Sequence, residues 1–238
     1  MHAIECQQLQ VSYKIPPILD QLDLVVETGQ CFGLVGENGA GKSTLIKSIL
    51  DLIAIDAGEI LLAGKSHRDT SSRQQLAFLP DRFVPPYYLR GKDFLRYMSE
   101  LYQHEYNPYA VEEMLRLIGL KTEALTKSVR ALSKGMTQKL GLAAVFLSGK
   151  QTLILDEPMS GLDPGARILI KQQIQRLREA GVTVFFSSHM LSDVEEMADQ
   201  MAVLHQGVIQ YKGTPAGFMT QYEASSMEQA YMHCTGVS

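Results

Sequence analysis

The sequence is poor in cysteine. Cys6, Cys31 and Cys234 are the only three in 238 residues, widely spaced and without a CxxC pair. That excludes a disulfide framework and a thiolate zinc site, and it fits a reducing compartment. Long apolar runs are also missing: nothing approaches the roughly 18 uninterrupted apolar residues of a membrane span. The start, MHAIECQQLQ, lacks the basic segment and apolar stretch of an export signal. The expectation is a cytoplasmic chain that neither spans a membrane nor is exported. Basic excess is absent too, with 22 Lys plus Arg against 26 Asp plus Glu and a formal net charge of −4, so no nucleic-acid partner is expected. What is present is an ordinary globular composition, 45% hydrophobic and 20% charged, at a length that buries a self-sufficient core.

Apolar patterning predicts an α/β chain. Leu22, Leu24 and Val26 alternate with their neighbours as a half-buried strand that ends at Gly29. CFGLVG (Cys31 to Gly36) reads as a buried strand running into a Gly-rich loop. Ile46, Ile49, Leu50 and Ile53 then recur at helical spacing. Leu76 to Leu79, Leu153 to Leu155 and Val182 to Phe186 read as further buried parallel strands. Ile170, Ile174 and Leu177 mark a helix that stops at Gly181, and MAVLHQGVIQYKG reads as a hairpin around Gln206 and Gly207. Between Arg82 and about Lys150 the pattern becomes helical, entered through the loop pair Pro85 and Pro86.

The chemistry starts at GENGAGKST, Gly36 to Thr44, which satisfies GxxxxGK[ST] through Gly36, Gly41, Lys42 and Ser43. A strand precedes it and a helix follows, as a phosphate loop requires. Glycines let backbone N–H groups curl around an anion. The helix N-terminus adds about half a positive charge, and Lys42 a full one on a stem long enough for the β and γ phosphates. Ser43 is placed to put its hydroxyl on Mg²⁺. TLILDEP then ends a strand in two adjacent acids beside the ligand crevice. Asp156 suits the Mg²⁺ shell and Glu157 the water that attacks the γ phosphate. Taken alone, such a pair is more often a turn or helix cap; the phosphate loop changes that weighing.

With GENGAGKST, ALSKGMTQKL (Ala131 to Leu140), ILDEP, SGLD (Ser160 to Asp163) and the His189 of FFSSHML in that order, the sequence resembles the ATP-binding-cassette family over almost its whole length. The resemblance implies a P-loop NTPase cassette with a RecA-like core, an N-terminal antiparallel β-subdomain and a helical subdomain. It would be one ATP-binding domain over 1–238, with a core of 1–81 and 151–238 and a helical subdomain at about 82–150. It implies ATP held by Gly36, Asn38, Gly39, Ala40, Gly41, Lys42, Ser43 and Thr44, and Mg²⁺ held by Ser43, Asp81 and Asp156. Two such cassettes would sandwich ATP head to tail, so that Ser133, Gly135 and Asp163 face the nucleotide of a second subunit.

Each transferred role has a plainer alternative. Ser133 is equally the N-cap of an ordinary helix whose stripe is Met136, Leu140, Ala144 and Leu147. Tyr13 matches the aromatic residue that stacks on adenine, although a lone tyrosine before a strand is usually packing. His189 matches the γ-phosphate switch but otherwise reads as a surface histidine. Asp163 would lie at the dimer interface, or cap a helix ahead of Pro164. The acids Asp193, Glu195, Glu196 and Asp199 read as a solvated helix face, and Arg82, Arg90, Lys92 and Arg96 as exposed basics.

Two departures from the family pattern stand out. Asp81 occupies the position of the usual Gln, and LSKGM replaces LSGGQ. Both look similar to exporter-type cassettes whose membrane subunit is a separate chain. The resemblance therefore implies an ATPase at the inner face of the membrane, partnered by a transmembrane permease and a second ATP-binding subunit. The rivals are an ABC ATPase acting on DNA or ribosomes, against which the acidic balance argues, and a nucleotide-sensing regulator without transport.

Overall fold

The apolar run CFGLV forms strand β3 (Cys31–Val35), and all five residues are buried. A strand can hide both faces only where its sheet is covered on both sides. In the computed structural model, which describes residues 1–13 and 16–236, β3 lies inside a six-stranded sheet. The other strands are β6 (Leu76–Leu79), β7 (Thr152–Asp156), β8 (Thr183–Ser188), β9 (Gln200–His205) and β10 (Val208–Gly213), in the order β10-β9-β3-β8-β7-β6. Five of the six run parallel. The last, β10, returns antiparallel from β9 through Gln206 and Gly207, whose φ of +49° and +81° make the left-handed turn of a tight hairpin.

Side-chain alternation divides the core in two. Phe32, Leu34, Ile154 and Phe185 face one side, the rings of Phe32 and Phe185 stacked with centroids 5.8 Å apart. Helix α1 (Lys42–Ile49) covers this side together with a four-stranded antiparallel sheet. That sheet runs β2-β1-β4-β5, from β1 (His2–Val11), β2 (Leu19–Glu27), β4 (Ala57–Leu62) and β5 (Lys65–Ser66). The fold is thus the expected one, including the antiparallel β-subdomain. The pattern over Leu22–Val26 is the middle of the longer β2. Nothing in the periodicity marks β1, because register shifts around Gln8, with φ +46°, break its alternation. Helix α1 stops at Ile49, short of the expected Ile53, where Asp51 turns left-handed at φ +56°.

Cys31, Val35, Leu153, Leu155, Val184 and Phe186 face the other side. There they meet α5 (Pro164–Glu179) and α6 (Leu191–Met197), with α7 (Pro215–Gln221) and α8 (Met227–Thr235) beside them. Helices α2 (Gly91–Leu101), α3 (Pro108–Leu117) and α4 (Lys134–Phe146) fall in the stretch read as helical. Helix α4 is buried all round from Leu140 to Phe146 and has no single stripe, since α2, α3 and β6 all pack on it. The basics Arg82, Arg90, Lys92 and Arg96 are exposed, Arg96 lying over the Tyr106 ring at 5.3 Å.

The reading of the acidic run as a solvated face is wrong at two of its four positions. Asp193 is 2% exposed and takes ion pairs from Arg167 at 2.7 Å and Lys171 at 2.9 Å, both reaching across from α5. Asp199 accepts the Cys31 N–H at 2.9 Å and pairs with Arg178 at 2.6 Å. Glu195 and Glu196 are exposed as expected.

Burial also sets the thiol chemistry. Cys6 and Cys31 are enclosed, and burial pushes both thiols up to about 12. Cys234 is partly accessible. With native protein at pH 8, a thiol reagent is expected to modify Cys234 well before the other two, which become available on denaturation. Mass-spectrometric mapping of the first labelled site checks this, and early labelling of Cys6 or Cys31 would contradict it.

Candidate active site

Because five strands run the same way, their carboxyl ends deliver several loops to one rim of the sheet. The loop after β3 folds over α1. Its glycines are required by geometry at two points. A Cβ on Gly36 would collide with the Leu204 carbonyl, and Gly41, the N-cap of α1, has φ +110°. No side chain caps α1, so its first N–H groups stay open toward an anion.

Lys42 is 6% exposed and folds back over this loop. Its Nζ donates to the Gly36 carbonyl at 2.5 Å and the Glu37 carbonyl at 3.3 Å, and lies 3.7 Å from Glu157 Oε1. Burial holds its pKa below the ordinary lysine value, against the opposing pull of Glu157, Asp156 and Asp81. Ser43 Oγ donates to Asp156 Oδ2 at 3.0 Å. A cavity of about 250 Å³ opens here. Of the residues read from the sequence, Asn38, Gly39, Gly41, Lys42, Ser43 and Thr44 line it, and so do Asp81, Asp156 and Glu157. Gly36 and Ala40 lie beneath the loop, the Ala40 carbonyl accepting the Gly207 N–H at 3.2 Å.

Glu157 has φ +51°, an uncommon conformation outside glycine and one that collects at functional sites. Its Oε2 meets His189 Nδ1 at 2.8 Å, while Oε1 is buried with no hydrogen-bond donor among the described residues. With the proton on Nδ1, His189 donates to the carboxylate. A buried carboxylate oxygen without a donor is expensive unless a ligand or water serves it. The arrangement suits a polyanion on the loop and a nucleophilic water at Oε1. A hydroxyl and two carboxylates, not a full protein cage, suit a cation that takes its remaining ligands from phosphate and water, as Mg²⁺ does.

Not everything converges. Ser133, Gly135 and Asp163 line a separate cavity of about 470 Å³, which shares no lining residue with the first. In the single chain Ser133 Oγ accepts the Met136 N–H at 3.3 Å and Asp163 Oδ1 the Ala166 N–H at 2.9 Å, so both are helix N-caps. Tyr13 is 59% exposed and lines neither cavity. Sequence reasoning passed over Ser187, which bonds both acids, and Gln138, whose Nε2 donates to the Pro158 carbonyl at 3.2 Å and ties α4 to the loop after Glu157. The signal for Ser187 lies in strand pairing, which the linear pattern does not carry.

Comparison with known proteins agrees with this geometry. The family model described as ABC transporter matches residues 19–160. An ABC transporter ATP-binding protein of Synechocystis is 38% identical over 83% of the chain and 57% of its own length. The Nod factor export ATP-binding protein I of Burkholderia thailandensis is 34% identical over 89% of the chain and 71% of its own length. The chain thus spans little more than half of the first relative and under three quarters of the second. Among solved structures, an ATP-binding subunit of an ABC transporter superposes with a TM-score of 0.88 at 29% identity, covering 98% of this chain and 99% of that one. The chain belongs to the ABC transporter family and has the fold of that family's ATP-binding subunits.

Proposed function

We propose that the chain is the ATP-binding and ATP-hydrolysing subunit of an exporter whose membrane-spanning subunit is a separate polypeptide. The observation that carries this is the single cavity in which Lys42, Ser43, Asp156 and Glu157 meet beneath open helix N–H groups. Ser43, Asp81 and Asp156 would hold Mg²⁺, which when bound would neutralise phosphate charge. Lys42 would leave the Gly36 and Glu37 carbonyls for the β and γ phosphates. Glu157 would orient the attacking water and take its proton, while His189 steadies charge developing on the γ phosphate. Residues 1–81 and 151–238 would act as one core, and about 82–150 as its helical lobe.

Ser133, Gly135 and Asp163 line a cavity that shares no residue with the one around Lys42, which favours their use on ATP bound to a second subunit. Tyr13 would stack on adenine. Closure of such a pair would drive the partner in the membrane, holding this chain at the cytoplasmic face. Among the described residues no helix is long and apolar enough to cross a membrane. Export is favoured by the relative named for it and by the LSKGM and Asp81 variants.

Purified chain should release phosphate from ATP in Mg²⁺ and stop when the cation is chelated. Turnover should rise when a co-purifying membrane-spanning chain is restored in detergent. A chain that binds ATP yet never turns it over, alone or with that partner, would instead be a nucleotide-sensing regulator.

A further inference from the structure

We propose that Ser187 is the positioning residue for both acids of the site, fixing the carboxylate plane of Asp156 and the backbone of Glu157 through one hydroxyl. The proposal rests on the nucleotide reading above. Parallel register sets Ser187 of β8 against Asp156 of β7. Its Oγ donates to Asp156 Oδ1 at 2.6 Å and accepts the Glu157 N–H at 3.0 Å. A hydroxyl carries one proton and two lone pairs, so one serine can serve both partners. Ser187 is 0% exposed, so solvent cannot replace it in either bond.

The consequence for Asp156 is that its two oxygens become distinct. Ser187 occupies Oδ1, and Oδ2 is left toward Ser43 at 3.0 Å. Only Oδ2 is then turned to a cation beside the phosphate loop. The consequence for Glu157 is conformational. Its left-handed backbone, φ +51°, persists only where surrounding bonds hold it, and the N–H bond to Ser187 is one of these. Released from it, Glu157 relaxes toward ordinary backbone angles and its carboxylate leaves Lys42 and His189.

The test is a Mg²⁺ titration of fluorescent ATP analogue binding to the full chain, with steady-state kinetics alongside. Ser187→Ala is expected to need about 10- to 100-fold more Mg²⁺ for half-maximal binding, the usual scale for losing a partner that orients a metal ligand. Analogue affinity in EDTA should be unchanged. The kcat should fall with KM for ATP little altered, and Ser187→Thr, which keeps the hydroxyl, should shift back toward wild type. Thr183→Ala is the control: it removes a buried hydroxyl from the same strand, one that accepts the Gly29 N–H at 2.9 Å, and should leave the titration alone. Should Ser187→Ala fail to fold, Ser187→Cys, with a weaker donor of similar size, should shift the curve in the same direction. An unshifted curve for a folded Ala or Cys variant overturns the role of Ser187 and leaves the nucleotide site standing. A wild-type chain without Mg²⁺-dependent binding overturns both.

Discussion

Replacing Glu157 by Gln is expected to lower ATP hydrolysis by about 10²-fold or more, the usual scale for a general base, while ATP binding survives. The amide keeps the size of the carboxylate, so the loop and α1 are undisturbed. It cannot take a proton from water at neutral pH. The buried Oε1 is where that water belongs, since no other donor reaches it among the described residues. Lys42 loses its 3.7 Å carboxylate neighbour in this variant, but bound triphosphate supplies more negative charge than the one removed. Phosphate release under saturating Mg²⁺–ATP, paired with equilibrium binding of a fluorescent analogue, reads both halves of the expectation. Turnover within twofold of wild type would remove Glu157 from the chemistry. If a second subunit is required, the same variant should accumulate as an ATP-bound pair on size exclusion.

Removing the Asp193 carboxylate is expected to have the largest effect on stability. Asp193→Ala should destabilise the fold by about 3 kcal/mol, the lower end of what breaking a buried pair costs. The lower end applies because both cations keep some access to water, Arg167 at 24% and Lys171 at 17% exposure. Among the described residues Arg167 Nε is already buried without a bonding partner, and the only other contact of the guanidinium there is the weak acceptor Met190 Sδ. Replacing Arg167 by Met in the same chain should recover part of the loss, since the uncompensated charge is then gone as well. Urea unfolding of the single and double variants measures this. A loss below about 1 kcal/mol would mean the group behaves as an exposed pair. The pairing also has a bearing on the site. Arg167 lies four residues beyond Asp163 and reaches Met190 Sδ at 2.8 Å, directly after His189. The start of α5 and the segment carrying His189 are therefore held as one piece.

The features that proved legible in the sequence are those whose cause is local. The phosphate loop follows from glycine conformation and the spacing to Lys42, and the buried strands follow from short apolar runs. The gathering of Lys42, Asp81, Asp156 and Glu157 at one rim follows from parallel strands, which those runs already implied. Features that depend on lateral neighbours were not legible. Asp193 looked solvated because a helix acid reveals nothing of what packs on it, and here α5 does. Ser187 was passed over because its partners are one strand away. β1 was missed because a bulge at Gln8 scrambles the alternation by which strands are recognised. Tyr13 lies two residues past the end of β1, and no pattern in the chain encodes its relation to the cavities.

The sheet has a second rim, and its plainness is useful. There the starts of neighbouring strands are tied to one another by main-chain bonds, with Val184 N–H on the Gln30 carbonyl, Thr152 N–H on Gln75 and Thr183 N–H on Gln151. The exposed Glu179 stands just before that rim, with the full length of β8, about 20 Å at the usual rise per residue, between it and His189. A dye attached at this position, in a background lacking Cys234, would travel with the rigid slab and never meet the reacting groups. If the proposed pairing of two subunits holds, distance changes between two such dyes would report how the subunits approach each other, uncontaminated by events at the phosphate.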